Sequence, residues 1–205
     1  MNTFSILLRA VKDGLRGIRM MFFTGRRDRF GFIAPTARVY QPVMGGKDNV
    51  YLYDHTVIEE GSRFITSREG RFIMKRNSVA SYNFTVITAL HTMEVGDMPN
   101  ASTGNYGKMI PQDVIVDEGV LIGAYATLLP GTHIPRGCIV GAGSVVTKTI
   151  NFIPPYSVIA GNPARFIKFR FTLEQMLEHE RICFAPEERI AEEKLRHLFE
   201  QHGKQ

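Results

Sequence analysis

A period of six residues constrains this chain more than any other feature. From Val116 the sequence divides into six consecutive hexads whose first positions are Val116, Ile122, Leu128, Ile134, Val140 and Val146, all aliphatic. The fifth positions are mostly small (Val120, Ala126, Thr132, Cys138 and Ser144), with Ile150 the exception. The fourth is glycine in four of the six: Gly119, Gly131, Gly137 and Gly143. Six aliphatic matches alone arise by chance about once in several thousand trials at ordinary composition.

A six-residue unit has room for one short strand and one turn, and three such units close a triangular coil of about eighteen residues. The aliphatic first residue then points into the prism, stacked at the strand spacing of about 4.8 Å. The fifth also faces inward, near a corner where only a small side chain fits. The glycine before it serves a backbone that turns sharply with positive φ. A helix is a poor competitor, because each interior glycine would cost it about 1 kcal/mol.

Weaker hexads precede this block, with Ile33, Val39, Leu52, Ile58, Met74, Ala80 and Val86 in phase, and the spacers Gly45–Val50 and Ile65–Ile73 breaking it. Degenerate coils with short excursions account for them. A longer interruption, Thr92 to Asp113, is rich in Gly, Pro, Asn and Asp and has no periodic face. Loops of that length inside a compact domain are usually functional.

Both ends read as helices. Phe4, Leu8, Val11, Leu15, Ile18 and Phe22 fall at helical spacing, with Arg9, Lys12, Arg16 and Arg19 forming a basic stripe beside them. Such a helix either caps the open end of the prism, the favoured reading, or rests on an anionic membrane surface. Near the other end, Thr172 and Gln175 form a capping box that opens a helix through about Ile182. Pro186 starts a second helix with Ile190, Leu195 and Leu198 as its apolar positions. The predicted organisation is a helical cap at 1–29, a β-helix at 30–168 with a loop at 92–113, and C-terminal helices at 169–205.

Composition narrows the function classes. At 44% hydrophobic and 22% charged residues the chain is globular, and no apolar run is long enough for a transmembrane helix. No signal peptide is evident, since Arg9 interrupts the only short apolar stretch at the N-terminus. Two cysteines make neither a disulfide framework nor a zinc pattern, so a cytoplasmic setting is expected. A formal charge of +5 without a nucleic-acid-binding motif argues against nucleic acid as a partner.

The hexads, His91 before the long loop, the segment Gly141–Lys148 and the segment Ala160–Arg165 together resemble the hexapeptide-repeat acyltransferases, specifically the galactoside, maltose and polysaccharide O-acetyltransferase branch. The likeness runs from Ile33 to Lys168 and is most specific from Val116 onward. It implies a left-handed parallel β-helix assembled as a homotrimer, with acetyl-CoA held between neighbouring subunits.

By this resemblance His91 is the general base, taking the proton of an acceptor hydroxyl as its oxygen attacks the thioester. Neutral imidazole suits that task near pH 7. The main-chain N–H near Gly123 and Ala124 is the candidate oxyanion donor, contributed across a subunit interface. Leu121 stands where the family often has tryptophan. Ala142 resembles the position whose backbone meets the pantetheine amides. Thr147 and Lys148 resemble the pair near the adenine and its ribose phosphate, and Arg165 and Lys168 match two further phosphate-directed positions. Asn83 and Asp97 are the candidates for acceptor contacts, beside Tyr82, Glu94, Asn100, Asn105 and Tyr106.

The implied reaction is acetyl transfer to a hydroxyl of a sugar, polysaccharide precursor or glycolipid-linked acceptor. N-acetylation of an amino sugar and a non-catalytic β-helix scaffold are the alternatives. A carbonic-anhydrase-like zinc site is rejected: it needs a second histidine five residues from the first, and Gly96 stands there. No covalent acyl-enzyme is expected, because neither cysteine has a credible activating histidine.

Overall fold

The computed structural model describes residues 30–40, 43–44, 49–99, 107–150 and 153–203. The predicted N-terminal helix and basic stripe, together with Asn100, Asn105 and Tyr106, lie outside them. The rest is mainly β, a parallel solenoid of about five turns followed by helices.

Each coil visits three sheets in turn. The first sheet stacks Phe32–Ile33, Val50–Leu52, Phe72–Met74, Val114–Val116 and His133–Ile134 in parallel. The second runs from Arg38–Val39 through Val57–Ile58, Val79–Ala80, Leu121–Ile122 and Ile139–Val140 to Ser157–Gly161. It is closed by Ala164–Phe169, which pairs antiparallel with Ser157–Gly161. The third stacks Val43–Met44, Arg63–Ile65, Thr85–Ile87, Thr127–Leu128 and Val145–Val146.

Register carries the periodicity into three dimensions. Ile115 lies beside His133, Leu121 beside Ile139 and Thr127 beside Val145, each eighteen residues on. All six aliphatic first positions from Val116 to Val146 are buried, as are Val120, Ala126, Thr132, Cys138 and Ser144. Five consecutive corners, Gly119, Tyr125, Gly131, Gly137 and Gly143, take positive φ between 61° and 80°. Tyr125 thus holds a conformation that strains a bulky side chain, at the one corner among these five where the sequence offers no glycine.

The earlier coils keep the same interior with longer steps. Val50 pairs with Phe72, twenty-two residues on, and Phe72 with Val114, forty-two on. The two long excursions leave between the third sheet and the first, with four extra residues after Ile65 and twenty-four after Ile87. The other two edges stay tight. Large side chains fill the irregular part, with Phe72 5.8 Å from both Phe64 and Phe84 between ring centroids. Phe84 occupies a position that is otherwise small, and its column neighbours Ser62 and Ala126 leave it room.

The predicted capping box is present: Thr172 Oγ1 accepts from Gln175 N–H, and helix α1 spans Leu173–Cys183. The second predicted helix is corrected. Pro186–Glu188 is only a 3₁₀ turn, the backbone is extended at Arg189 and Ala191, and helix α2 spans Glu192–His202. Tertiary bonds cause the break. The Ile190 N–H donates to Glu180 Oε2 at 2.9 Å, and the Arg189 side chain donates to the Phe184 and Arg181 carbonyls. Glu180 itself is buried, bonded to the Tyr156 hydroxyl at 2.5 Å and to Arg136 at 3.0 Å.

Candidate functional site

The sequence leaves Thr92–Asp113 as an open loop, but its flanks pair. Ala89–Thr92 and Lys108–Pro111 form an antiparallel hairpin, so His91 sits in a strand opposite Met109. Cross-strand partners project to one side of a hairpin. Met109 lines a cavity of about 390 Å³ together with Thr66, Ser67, Arg68, Glu69 and Pro111. The His91 imidazole is exposed, and His91 itself is not among the residues that line this cavity.

The cavity is held firmly at its base. Ser67 N–H donates to Thr88 Oγ1 at 2.9 Å, and Ser67 Oγ accepts from Gly70 N–H at 2.8 Å. Asp113 receives the Arg71 N–H at 2.8 Å and its guanidinium at 3.0 and 2.5 Å. The hydrogen bond from that guanidinium holds the Asp113 carboxyl below its usual range. Among the described residues one group is left over: Thr66 Oγ1 is buried with no hydrogen-bond partner there. Such an atom is costly unless a further molecule satisfies it. Sequence reasoning missed Thr66, Ser67, Arg68, Glu69 and Met109. The available signal was the break in phase between Ile65 and Ile73.

A second group of predicted residues lies at a different edge, between the second and third sheets. Ala124 and Ala142 occupy successive coils there. Gly123 N–H bonds the Val140 carbonyl and Gly143 N–H bonds the Ala124 carbonyl, both at 2.8 Å. Among the described residues, no hydrogen bond uses the N–H groups of Ala124 and Ala142 themselves. A side chain at Gly123 would place its Cβ 2.5 Å from the Ala142 nitrogen, so the two coils require glycine at this contact. Asn83 shares the edge as a positive-φ corner whose side chain packs against Gly61. Arg165 pairs with Ala160 at the same end of its sheet, and its guanidinium donates to the Ala164 carbonyl at 2.9 Å.

The remaining predicted residues are dispersed. Thr147 and Lys148 follow the last strand of the third sheet and line a cavity of about 580 Å³. Lys168 pairs with Val158 and lines a third cavity, with Arg170, Phe199 and His202. Asp97 closes its own turn, its carboxylate accepting the Glu94 N–H at 3.3 Å. One chain therefore does not gather His91, Ala124, Arg165 and Lys168 at one place.

The cysteines differ from expectation in one respect. Cys138 is buried, and desolvation pushes its thiol up to about 12. Cys183, however, does lie beside a histidine, with Sγ 3.7 Å from His179 Nδ1. Burial lowers the His179 pKa, and Cys183 is the last residue of α1. Among the described residues no cluster of three metal-binding side chains occurs, and no helix is long and apolar enough to cross a membrane.

The coils, their free N–H groups and the hairpin histidine can be set beside known proteins. The family described as bacterial transferase hexapeptide (six repeats) matches residues 113–148. That segment is a hexapeptide repeat of the bacterial transferase type. Over 64 residues the chain is 42% identical to a probable macrolide acetyltransferase of Lysinibacillus sphaericus, spanning 31% of this chain and only 34% of that protein. Among solved structures, a maltose O-acetyltransferase from Clostridium difficile is 27% identical, with a TM-score of 0.56 over 70% of this chain and 71% of its own. A hexapeptide-repeat-containing acetyltransferase from Vibrio cholerae is 18% identical, with a TM-score of 0.61 over 73% and 79% of the two chains. It shares the repeat fold, and its structure is also known with acetyl-coenzyme A bound.

Proposed function

We propose that this chain is an acetyl-CoA-dependent O-acetyltransferase acting on a hydroxyl of a sugar or glycolipid-linked acceptor, wound left-handed and working as a cytoplasmic homotrimer. The observation that carries this reading is the pairing of His91 with Met109 beside the cavity that holds the partnerless Thr66 hydroxyl. Arg68, Glu69 and Ser67 offer polar partners to ring hydroxyls, while Met109 and Pro111 offer an apolar wall. That mixture suits a pyranose better than a flat aromatic acceptor.

His91 and the free N–H groups of Ala124 and Ala142 stand on different edges of one prism, so the reading needs a second copy to complete the site. The second sheet turns Val57, Val79, Leu121, Ile139 and Val158 outward, an aliphatic stripe suited to burial against such a copy. In the assembled site, His91 accepts the acceptor's hydroxyl proton as the oxygen bonds to the acetyl carbonyl carbon. The Ala124 N–H of the partner subunit receives the charge that develops on the carbonyl oxygen. His91 then returns the proton to the departing thiolate, so the transfer needs no covalent acyl-enzyme. Ala142 meets the donor's amide arm, and Thr147, Lys148, Arg165 and Lys168 serve its phosphates. Asn83 and Asp97 stand at the margin of the acceptor.

The test is turnover of acetyl-CoA with a panel of sugars and amino sugars, alongside His91→Ala and sedimentation analysis. His91→Ala should lose about 10²–10⁴-fold in kcat while its affinity for CoA and its Tm are unchanged, the scale of general-base catalysis. Wild-type turnover by the variant on the preferred acceptor defeats the assignment. Activity on amino sugars alone makes the enzyme an N-acetyltransferase.

A further inference from the structure

The cavity of about 580 Å³ lies against the last strand of the first sheet, His133–Ile134, and helix α2 forms part of its wall. Its size is that of a small-molecule site. Ile150, Ile153, Ile190 and Leu198 give it an apolar side. The charged side sorts into groups that are satisfied and groups that are not. Asp117 is bridged by Lys75 Nζ and His133 Nε2, both at 2.8 Å. Burial would raise the Asp117 pKa, but these two bonds outweigh it and keep the group ionised. Arg136 is engaged with Glu180 at 3.0 Å and Glu118 at 3.5 Å. Both carboxylates of the cavity are therefore already paired, Asp117 with Lys75 and Glu118 with Arg136.

Two lysines remain. Lys148 reaches the cavity with its stem over Gly131, and Lys194 enters it from α2. Neither has a carboxylate within ion-pair distance among the described residues. Lys194 also stands in the first turn of α2, where the helix dipole disfavours a cation, so helix stability does not account for it. The Thr147 hydroxyl lies on the same wall, bonded to Thr149 at 2.6 Å.

Two unmatched ammonium groups beside an apolar wall select a ligand with a flat ring and a dianionic phosphate. We infer that this cavity receives the adenosine end of the donor, and that Lys194 joins Lys148 in binding its ribose 3′-phosphate. The inference rests on the acetyltransferase reading and adds to it a residue from the C-terminal helix, outside the repeat. The phosphate monoester carries roughly two charges at neutral pH, which the two lysines match.

The decisive experiment titrates CoA and 3′-dephospho-CoA into wild type, Lys194→Ala and Lys194→Arg by calorimetry. Lys194 is exposed, so neither variant threatens folding, and an unchanged Tm checks this. Lys194→Ala should bind CoA about 5–30-fold more weakly, as expected for one lost charge-assisted contact, with 3′-dephospho-CoA unaffected. Lys194→Arg should keep most of the CoA affinity. Equal CoA affinity in wild type and Lys194→Ala overturns the inference while leaving the enzyme reading intact. An equal loss on both ligands also overturns it, because the 3′-phosphate is then not what Lys194 senses. Failure of wild type to bind CoA brings down the enzyme reading and this one together.

Discussion

From Val116 to Val146 the chain advances eighteen residues per coil without interruption, whereas the coils before it advance by steps as long as twenty-two and forty-two. The interior hardly registers the change, since Leu52, Met74 and Val116 stack in one buried column across both regions. What changes is one edge of the prism. The added residues all emerge between the third sheet and the first, and there they build the His91 hairpin and the cavity at Thr66–Glu69. Repetition specifies a scaffold with three equivalent edges, and departures from it make one edge different from the other two.

The strongest way to break this contrast is to place the same small insertion in each region. One alanine inserted after Gly123 shifts every later inward residue out of phase and exposes the stacked aliphatics. It should abolish cooperative thermal unfolding followed by circular dichroism. One alanine inserted after Val95, an exposed position in the excursion, should move Tm by no more than about 2 °C. Similar losses from the two insertions would mean that the excursions are as tightly specified as the coils.

A smaller effect tests how the regular coils hold the helices. Glu180→Ala leaves the Tyr156 hydroxyl without its partner and the Ile190 N–H without an acceptor, and takes from Arg136 the nearer of its two carboxylates. Removing one member of a buried network of this kind should cost about 3–5 kcal/mol in chemical denaturation. A loss below about 1 kcal/mol would show that α1 is held by apolar packing alone. The smallest effect sharpens the rule for corners. Tyr125→Gly relieves a left-handed tyrosine but loosens the unfolded chain, for a net gain of about 0.5–1 kcal/mol. Destabilisation instead would mean that the exposed ring makes a contact worth more than the strain.

The regular coils were legible because burial and turn geometry repeat with one period. Val116 through Val146 and the small column beside them could be read directly from the sequence. The candidate site was legible only in part. His91 stood out by resemblance, but Ser67 and Met109 come from two excursions some forty residues apart, and no local spacing links them. The hairpin was missed because its arms are only four residues long and their pairing depends on the closed coil beneath. The break between Pro186–Glu188 and α2 was invisible for a related reason: a glutamate ten residues earlier accepts the Ile190 N–H. Local propensity favoured one helix, and tertiary bonding decided against it.

The antiparallel return of Ala164–Phe169 along Ser157–Gly161 has a consequence of its own. A parallel stack of identical rungs is an open template, and any strand of matching pitch can continue it, including one from another molecule. Reversing the final strand of the second sheet presents an incoming parallel rung with the wrong ladder. At this end of the prism it closes one of the three sheets against such growth.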